Sequence, residues 1–389
     1  MKLQHGLHLA YCTNIHRGES WAETFQALTD YTLAVRERVC PKQPYAIGLR
    51  LSNHAAQELS DPIKLLNFRR WLDKNQCYVF TINGFPFGSF HDTRVKEKVY
   101  LPDWTSPERL EYTNRLFDLL SQIVPPGVEG SVSTVPGSFK EFVKTPDQLK
   151  LIRSNIFHCV EHIARLSEQT GRKLHLGLEP EPLGLLETTN ETVHFFDRIR
   201  AEHHNDPRLT QFLGVNYDAC HLAIEYEDPH HSIAELQKHH IKLSKLHLSS
   251  ALKLQPTSQA LTALRAFTED TYLHQVITRG ADGKLTRYRD LPNALNPQSA
   301  IPNPQSEEWR VHFHIPLHSP PTEFFDNTTD HLLGLLDILQ ANPHLCSHLE
   351  METYTWGVMP AELKSRSVVD QLVSEYEWTL AQLAARGLA

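Results

Sequence analysis

Ionisable residues, together with polar residues and glycines, alternate with apolar residues in four short segments of the second half of the chain. Residues at every second position of a β-strand share one face. In the first of these segments, three leucines therefore occupy one face, and His175, Gly177, Glu179 and Glu181 occupy the other. The four segments are Leu174–Glu181, Leu213–Asp218, Lys245–Ser249 and Leu349–Thr355.

This alternation indicates which way the ionisable side chains point. A parallel strand covered by helices needs an apolar outer face, so the leucines should point outwards and the acids and histidines inwards. Several enclosed carboxylates are unfavourable unless a cation neutralises them. Asp, Glu and His are suitable ligands for Mn, Mg, Co or Zn. The pattern therefore predicts a divalent-metal site, and the alternative is a one-sided sheet whose polar face meets solvent.

The elements that must position this site alternate along the chain as strand-like and helix-like segments. Eight such repeats are typical of a (β/α)8 barrel with its active site at the carboxyl ends of the strands. A doubly wound open sheet is the alternative, but its usual glycine-rich turn after the first strand is missing. The first four strand-like segments are Leu7–Asn14, Ala46–Ser52, Tyr78–Asn83 and Gly130–Pro136.

One connection, between the seventh and eighth strand-like segments, is much longer than the others. We predict a single barrel domain over residues 1–389, with residues 252–345 containing an insertion at the barrel mouth. A separate domain is less favoured, because the barrel would then lack its eighth strand. An extra strand-like run, Trp309–Leu317, places His312 and His314 on one face, where they line either a lid or the core of the insertion.

Composition excludes some classes of function. The formal net charge is −8 and no basic run occurs, which disfavours a nucleic-acid-binding protein. The six cysteines form no C-x-x-C pair, as expected for free thiols in a reducing compartment. We see neither a signal peptide nor an apolar stretch long enough for a membrane span. A cytoplasmic protein that binds a small-molecule metabolite is the expectation, and the oligomeric state is not indicated.

Four motifs resemble the xylose isomerase-like barrel superfamily, which includes sugar isomerases, ketose 3-epimerases, inosose dehydratases and endonuclease IV. They are LGLEPEP (176–182), NYDACH (216–221), KLHLSS (245–250) and HLEMETYTW (348–356). In epimerase-type members, a Glu, an Asp, a His and a second Glu from the last four strands bind the metal. Carried over, the resemblance implies that the ligands are Glu179, Asp218, His247 and Glu352.

Two of these assignments have alternatives. Glu350 and Glu352 share the inward face, and we favour Glu352 because it lies nearer the carboxyl end of its strand. Glu181 is a second choice beside Glu179, or a residue that contacts substrate or orients a ligand. The resemblance gives His221 a substrate-contacting or ligand-orienting role.

Weaker candidates for substrate or second-sphere contacts follow other strands or lie in the insertion. Arg50, Asn83 and Asn14 sit at or just after strand ends, where each could equally serve a turn or a cap. His314 belongs to the inserted run.

Further segments resemble the narrower EboE family of metabolite-traffic proteins. They are LAYCTNIHRGESW, YVFTINGFPFGSFH, STVPGSFK, WRVHFHIPL and ETYTW. This narrower resemblance indicates a family, but it does not indicate which reaction the protein would catalyse.

The superfamily resemblance implies isomerisation or epimerisation of a sugar or another polyhydroxy carbonyl compound. Glu179 would remove a proton beside the carbonyl, and Glu352 would return it. A metabolite-binding or trafficking protein that uses the same metal pocket without turnover is the alternative. A phosphodiesterase of the endonuclease IV kind is less favoured, because the chain is acidic and has no basic stripe.

Overall fold

Eight parallel strands form the central sheet of the computed structural model, which describes residues 1–91, 94–296, 306–360 and 366–389. Each strand matches one of the strand-like segments of the sequence to within a few residues. The strands are β1 (His8–Tyr11), β2 (Tyr45–Arg50), β3 (Cys77–Asn83), β4 (Gly130–Thr134), β5 (Leu174–Leu178), β6 (Leu213–Asp218), β7 (Lys242–Leu248) and β13 (His348–Met351).

These strands close into a barrel. Their order around the wall is β1-β13-β7-β6-β5-β4-β3-β2, and a parallel bridge between Cys12 and Gly48 joins the two ends of that order. The predicted (β/α)8 barrel is therefore confirmed, and the open doubly wound sheet is wrong. All eight carboxyl ends lie at one mouth, where barrel enzymes place their active sites.

Helices follow the barrel strands, and several of them begin at residues whose side chains cap them. Ser20 and Thr145 each form a capping box, and proline follows the cap residues Asp61, Ser106 and Thr145. The helices are α1 (Trp21–Ala27), α2 (Leu33–Val39), α3 (Asn53–Leu59), α4 (Pro62–Lys74), α5 (Pro107–Ile123), α6 (Pro146–Thr170), α7 (Thr189–Glu202), α8 (Pro207–Phe212), α9 (Ala219–Ile224), α10 (Pro229–Lys238), α11 (Ser258–Leu264), α12 (Leu291–Ala294), α13 (Thr329–Ala341) and α14 (Val368–Ala384).

A second, antiparallel sheet is built from the long connection between β7 and β13. Its order is β10-β9-β11-β8-β12. Residues 297–305 of the predicted insertion, 252–345, lie outside the described residues. The strands of this sheet are β8 (Ala251–Leu254), β9 (Val276–Gly280), β10 (Leu285–Tyr288), β11 (Ser306–His314) and β12 (Asp326–Asn327).

The barrel wall divides apolar from ionisable side chains. Leucines of β5 and β7 pack into the main hydrophobic core, whereas Lys245, His247 and Glu350 are fully buried without belonging to it. Gly48 of β2 leaves room for one of these charges, because a methyl group at its Cα would lie 2.0 Å from Glu350 Oε1. The interior of this barrel is therefore polar on its β7 and β13 side.

Within the described residues, no helix is both long and apolar enough to cross a membrane.

Candidate metal centre

Four side chains that the sequence singles out converge at the carboxyl ends of neighbouring strands. Glu179 directly follows β5, Asp218 ends β6, His247 lies in β7 and Glu352 directly follows β13. One ligand atom from each side chain lies within 4.8 Å of the others, and all four residues are buried. Parallel strands bring these positions together because their carboxyl ends meet at one mouth.

His247 lies at the centre of the cluster. Its Nδ1 is 3.0 Å from Glu179 Oε1, 3.3 Å from Asp218 Oδ2 and 3.3 Å from Glu352 Oε2. Burial alone would lower the pKa of this imidazole, but the carboxylates, Glu352 foremost, raise it well above its ordinary value. The position therefore favours positive charge.

The four side chains of the cluster are better suited to bind a divalent cation than to share a single proton. A single proton on His247 Nδ1 cannot satisfy three carboxylates, and the buried oxygens Glu179 Oε2 and Asp218 Oδ2 have no hydrogen-bond partner. Unpartnered buried carboxylate oxygens are costly. Three carboxylates and one imidazole are a suitable ligand set for Mn, Mg, Co or Zn.

Glu350 lies on the other side of the His247 ring, outside the four-residue cluster. Its Oε2 is 2.7 Å from His247 Nε2 and also contacts Lys245 Nζ. Burial would raise the pKa of Glu350, yet Lys245 and His247 lower it to about 2. Glu350 thus accepts the Nε2–H bond and directs Nδ1 towards the cluster, an arrangement typical of metal-bound histidines. Of the two alternatives, Glu352 belongs to the four-residue cluster and Glu350 does not.

Two asparagines orient Glu352. Asn14 Nδ2 and Asn83 Nδ2 both donate to Glu352 Oε1, at 2.8 and 3.0 Å, which leaves Oε2 facing His247. Asn83 Oδ1 in turn accepts from the backbone N–H of Phe85. Asn83, a candidate from the sequence, therefore has an orienting contact with Glu352. Asn14 has the same contact from the short helical turn that follows β1.

Asp218 has one occupied and one free oxygen. Its Oδ1 accepts from the backbone N–H groups of Cys220 and His221 at the start of α9 and from the Ser249 hydroxyl. Burial would raise the pKa of Asp218, but His221, His314 and His247 outweigh it and lower the pKa well below the ordinary value. The carboxylate is therefore ionised, with Oδ2 facing the cluster.

Glu181 and His221 lie beside the cluster. His221 Nε2 is 3.9 Å from both Glu181 Oε2 and Asp218 Oδ2. Burial, together with the charges of Asp218 and Glu352, raises the pKa of Glu181 well above its ordinary value. Burial also lowers the pKa of His221 to about 4, although the charge of Asp218 opposes this shift.

The inserted strand β11 reaches the same place. His314 Nδ1 donates to the backbone carbonyl of Glu352 at 2.9 Å, and His312 joins Glu181 and His221 in a second group of close ligand atoms. His314, a candidate from the sequence, thus lies next to the cluster. Its position in the sequence did not indicate which barrel strand it would contact.

Arg50 lies apart from the centre. Its guanidinium donates to the backbone carbonyls of Gly18 and Gly88 and pairs with Glu19. These partners lie in the loops after β1 and β3 and bind both terminal nitrogens of the guanidinium. The structure does not bring Arg50 together with the other candidates.

A cavity opens onto the cluster. Its polar side includes Glu179, Glu181 and Glu352, whereas Phe90 and Tyr272 form part of an apolar side. Asp218 and His247 lie beneath this lining and are fully buried. The sequence did not indicate Tyr272, Leu273 and Gln275, which line the cavity from one loop, because no local pattern distinguishes them from other loop residues.

Solved structures resemble the whole chain. A xylose isomerase-like TIM-barrel protein from Mycobacterium smegmatis in complex with magnesium is 13% identical, with a TM-score of 0.52, over 98% of this chain and 97% of that one. A xylose isomerase domain protein from Planctomyces limnophilus is 14% identical, with a TM-score of 0.51, over 91% and 92% of the two chains. This chain has the xylose isomerase-like barrel fold.

The structure of an L-ribulose 3-epimerase resembles this chain to a similar extent. It is 12% identical, with a TM-score of 0.50, over 99% of this chain and 96% of that chain. No protein-family model and no curated protein matches the sequence. The structural neighbours therefore include an epimerase and a magnesium complex, and at these identities the likeness is one of fold.

Proposed function

We propose that this protein is a divalent-metal-dependent isomerase or epimerase that acts on a sugar or another polyhydroxy carbonyl metabolite. The observation that carries the proposal is the cluster of Glu179, Asp218, His247 and Glu352 at the mouth of the barrel, beneath one cavity. The L-ribulose 3-epimerase with the same fold supports the class of reaction, and the magnesium complex supports a metal.

In this proposal the two glutamates transfer the proton. Glu179 and Glu352 both line the cavity, and they follow strands that are separated in the barrel wall by β6 and β7. They can therefore approach a bound substrate from different directions. Glu179 removes a proton from the carbon beside the carbonyl. Glu352, after taking up a proton from solvent, returns a proton on the other face or to the adjacent carbon, and Glu179 then releases its own proton to solvent.

The remaining residues hold these groups in place. Asn14 and Asn83 fix Oε1 of Glu352, while Glu350 fixes the ring of His247. When bound, a divalent cation would supply positive charge that polarises the substrate carbonyl. The apolar side of the cavity, around Phe90 and Tyr272, excludes water from the carbon that loses its proton.

Metal content and proton exchange test this proposal. Protein purified without chelators should contain metal, and one candidate among aldoses, ketoses and inososes should exchange a carbon-bound hydrogen with deuterated water in the presence of Mn²⁺ or Co²⁺. Glu179→Gln should abolish exchange. Glu168→Gln, on the exposed side of α6, removes the same charge away from the site and should leave exchange unchanged.

Two results would contradict the proposal. Metal-free protein that takes up no Mn²⁺ or Co²⁺ would contradict the metal centre. Bound metal without exchange from any candidate would contradict the reaction and favour a metabolite-binding protein.

We further propose two finer assignments. The chain is one barrel domain in which residues 252–345 contain an insertion at the mouth, supported by the hydrogen bond from His314 to the Glu352 carbonyl. The resemblance of its motifs to the EboE family supports membership of that family. If the protein does not convert a substrate, the function that this family resemblance suggests is metabolite traffic.

A further inference from the structure

The cavity above the metal centre has two chemically different parts. The carboxylates of Glu179, Glu181 and Glu352 line one part. The other part, which we call the apolar wall, comes from the connection between β3 and α5 and from the loop before β9. The apolar wall consists of Phe85, Phe90, Val95, Val99, Tyr272 and Leu273. A ligand that fills the cavity therefore meets both hydrogen-bonding groups and hydrocarbon surface.

Hydrogen bonds join the two segments that form the apolar wall. The backbone N–H groups of Val95 and Lys96 both donate to the Thr271 carbonyl at 2.9 Å. The rings of Phe90 and Tyr272 pack with their centroids 5.0 Å apart. The protein's own contacts thus fix the wall, so that binding of a ligand that matches it requires little further ordering of the protein.

Two polar side chains that line the cavity next to wall residues already have protein partners. Lys96 Nζ donates to Asp290 Oδ2 and to a backbone carbonyl, each at 2.8 Å. Gln275 Nε2 donates to the Pro182 carbonyl at 3.0 Å, and its Oε1 lies 2.6 Å from His312 Nδ1. Hydroxyl groups buried without partners are unfavourable. The part of a ligand that packs against the wall should therefore carry no hydroxyl groups.

The charges around the cavity disfavour an anionic ligand. Among the described residues that line the cavity, Lys96 is the only lysine or arginine, and it is paired with Asp290. The three carboxylates of the four-residue cluster outweigh the charge of one divalent ion. A phosphate group would thus meet like charges without a free cation to bind it.

We propose that the substrate is an uncharged polyhydroxy carbonyl compound that carries an apolar ring. Its hydroxy carbonyl part lies at the metal centre, and the ring packs against the apolar wall. This inference rests on the proposed function, whose substrate class it narrows. It disfavours simple sugars, which carry hydroxyl groups along their whole length, and it disfavours sugar phosphates.

Three hydroxymethyl ketones that share the same reacting end test this substrate class. 2-Hydroxyacetophenone carries a phenyl group, dihydroxyacetone a second hydroxymethyl group, and dihydroxyacetone phosphate a charged group. Calorimetric titration of the Mn²⁺-loaded, full-length protein should give 2-hydroxyacetophenone a Kd at least about ten-fold lower than those of the other two. The reason is that a single methylene group in an apolar pocket already discriminates by about 10- to 200-fold.

Variants of the wall show whether the preference arises there. Leu273→Asn places an amide of similar size on the wall and should raise the Kd of 2-hydroxyacetophenone by at least about ten-fold. The Kd of dihydroxyacetone should not rise. Val99→Thr, which replaces one methyl group by a hydroxyl group, should act in the same direction by a smaller factor. Leu151→Asn, at an exposed position of α6, should leave both Kd values unchanged.

Three results would overturn the substrate class. The first is an equal Kd for 2-hydroxyacetophenone and dihydroxyacetone, and the second is no binding of 2-hydroxyacetophenone. The third is a preference for the phenyl compound that both wall variants retain. Mn²⁺ stoichiometry and the far-ultraviolet circular dichroism spectrum establish that each variant is folded.

Hydrogen exchange with deuterated water, measured on the same samples, separates this inference from the proposed function. A preference for 2-hydroxyacetophenone that the wall variants lose, without exchange above the rate in buffer, would support the ligand class and contradict the proposed reaction. Protein-catalysed exchange from dihydroxyacetone, with equal Kd values for the two ketones, would support the reaction and overturn the substrate class.

Discussion

Lys245 and Glu350 form a fully buried ion pair beneath the metal centre. Lys245 also donates to the Ser133 hydroxyl. Removing one partner of such a pair leaves an uncompensated charge in the barrel interior, which is more costly than replacing both. Lys245→Met should therefore lower the free energy of unfolding by about 3–5 kcal/mol, measured by urea denaturation.

A matched comparison isolates the charge effect. Lys245→Met combined with Glu350→Gln should recover part of the lost stability, because the carboxylate that lost its lysine partner is then removed as well. The exposed pair Arg38–Asp370 is a suitable control, since Arg38→Met should cost less than about 1 kcal/mol. A double variant that is less stable than Lys245→Met would contradict this account of the pair.

Asn14 is a second single residue with a testable role, because it orients the proposed ligand Glu352. Its amide donates to Glu352 Oε1, and loss of a group that orients a metal ligand typically lowers metal affinity by about 10- to 100-fold. Asn14→Ala should weaken Mn²⁺ or Zn²⁺ binding by that factor in a chelator competition titration. Asn190→Ala, at an exposed position of α7, should leave the affinity unchanged, and equal affinities would argue against the orienting role.

At the scale of elements, α14 docks against the barrel mouth through a buried carboxyl group. Glu375 accepts from the Thr353 hydroxyl and from the backbone N–H of Leu317. Burial raises the pKa of Glu375 from 4.5 to about 7. The protonated form is therefore favoured in the folded protein.

This shift predicts a pH dependence of stability. Because the folded pKa is the higher one, the stabilising contribution is complete below about pH 4.5 and is lost as pH rises through about 7. Its size is on the order of 3 kcal/mol. Glu375→Gln should remove this contribution, so its stability relative to the wild type should rise between pH 4.5 and 7.5 in urea denaturation. A constant difference across this range would contradict the prediction.

At the scale of the whole molecule, the metal centre should couple metal binding to folding. Its proposed ligands Glu179, Asp218, His247 and Glu352 lie in or directly after four strands, so the unfolded chain holds no preformed site. Binding to the folded state alone stabilises it by about 4 kcal/mol at a free metal concentration one thousand times Kd. Tm should therefore rise with Mn²⁺ or Zn²⁺ concentration in calorimetry.

Glu179→Gln with Glu352→Gln supplies the comparison for that measurement. The metal centre then lacks two of its carboxylates, so Tm should rise less with metal concentration than it does in the wild type. An equal rise in the variant and the wild type would show that the stabilising ions bind elsewhere.

The sequence by itself determined the strands, the barrel and the side of each strand that carries the acids. In β5 to β7 the alternation of leucine with ionisable residues is a property of the extended backbone, so it can be read locally. Because parallel strands present their carboxyl ends at one mouth, Glu179, Asp218 and Glu352 could be predicted to meet before any distance was known. Metal binding by these residues stays a prediction.

Only the tertiary structure decided how the remaining candidates are used. It places Glu352 beside Glu179 but pairs Glu350 with Lys245, it turns Arg50 towards surrounding loops, and it brings His314 of the second sheet to His221. These contacts join residues far apart in sequence through loops whose paths depend on packing. The periodicity of a segment predicts which face of its own strand a side chain occupies. It does not predict distances between separate segments.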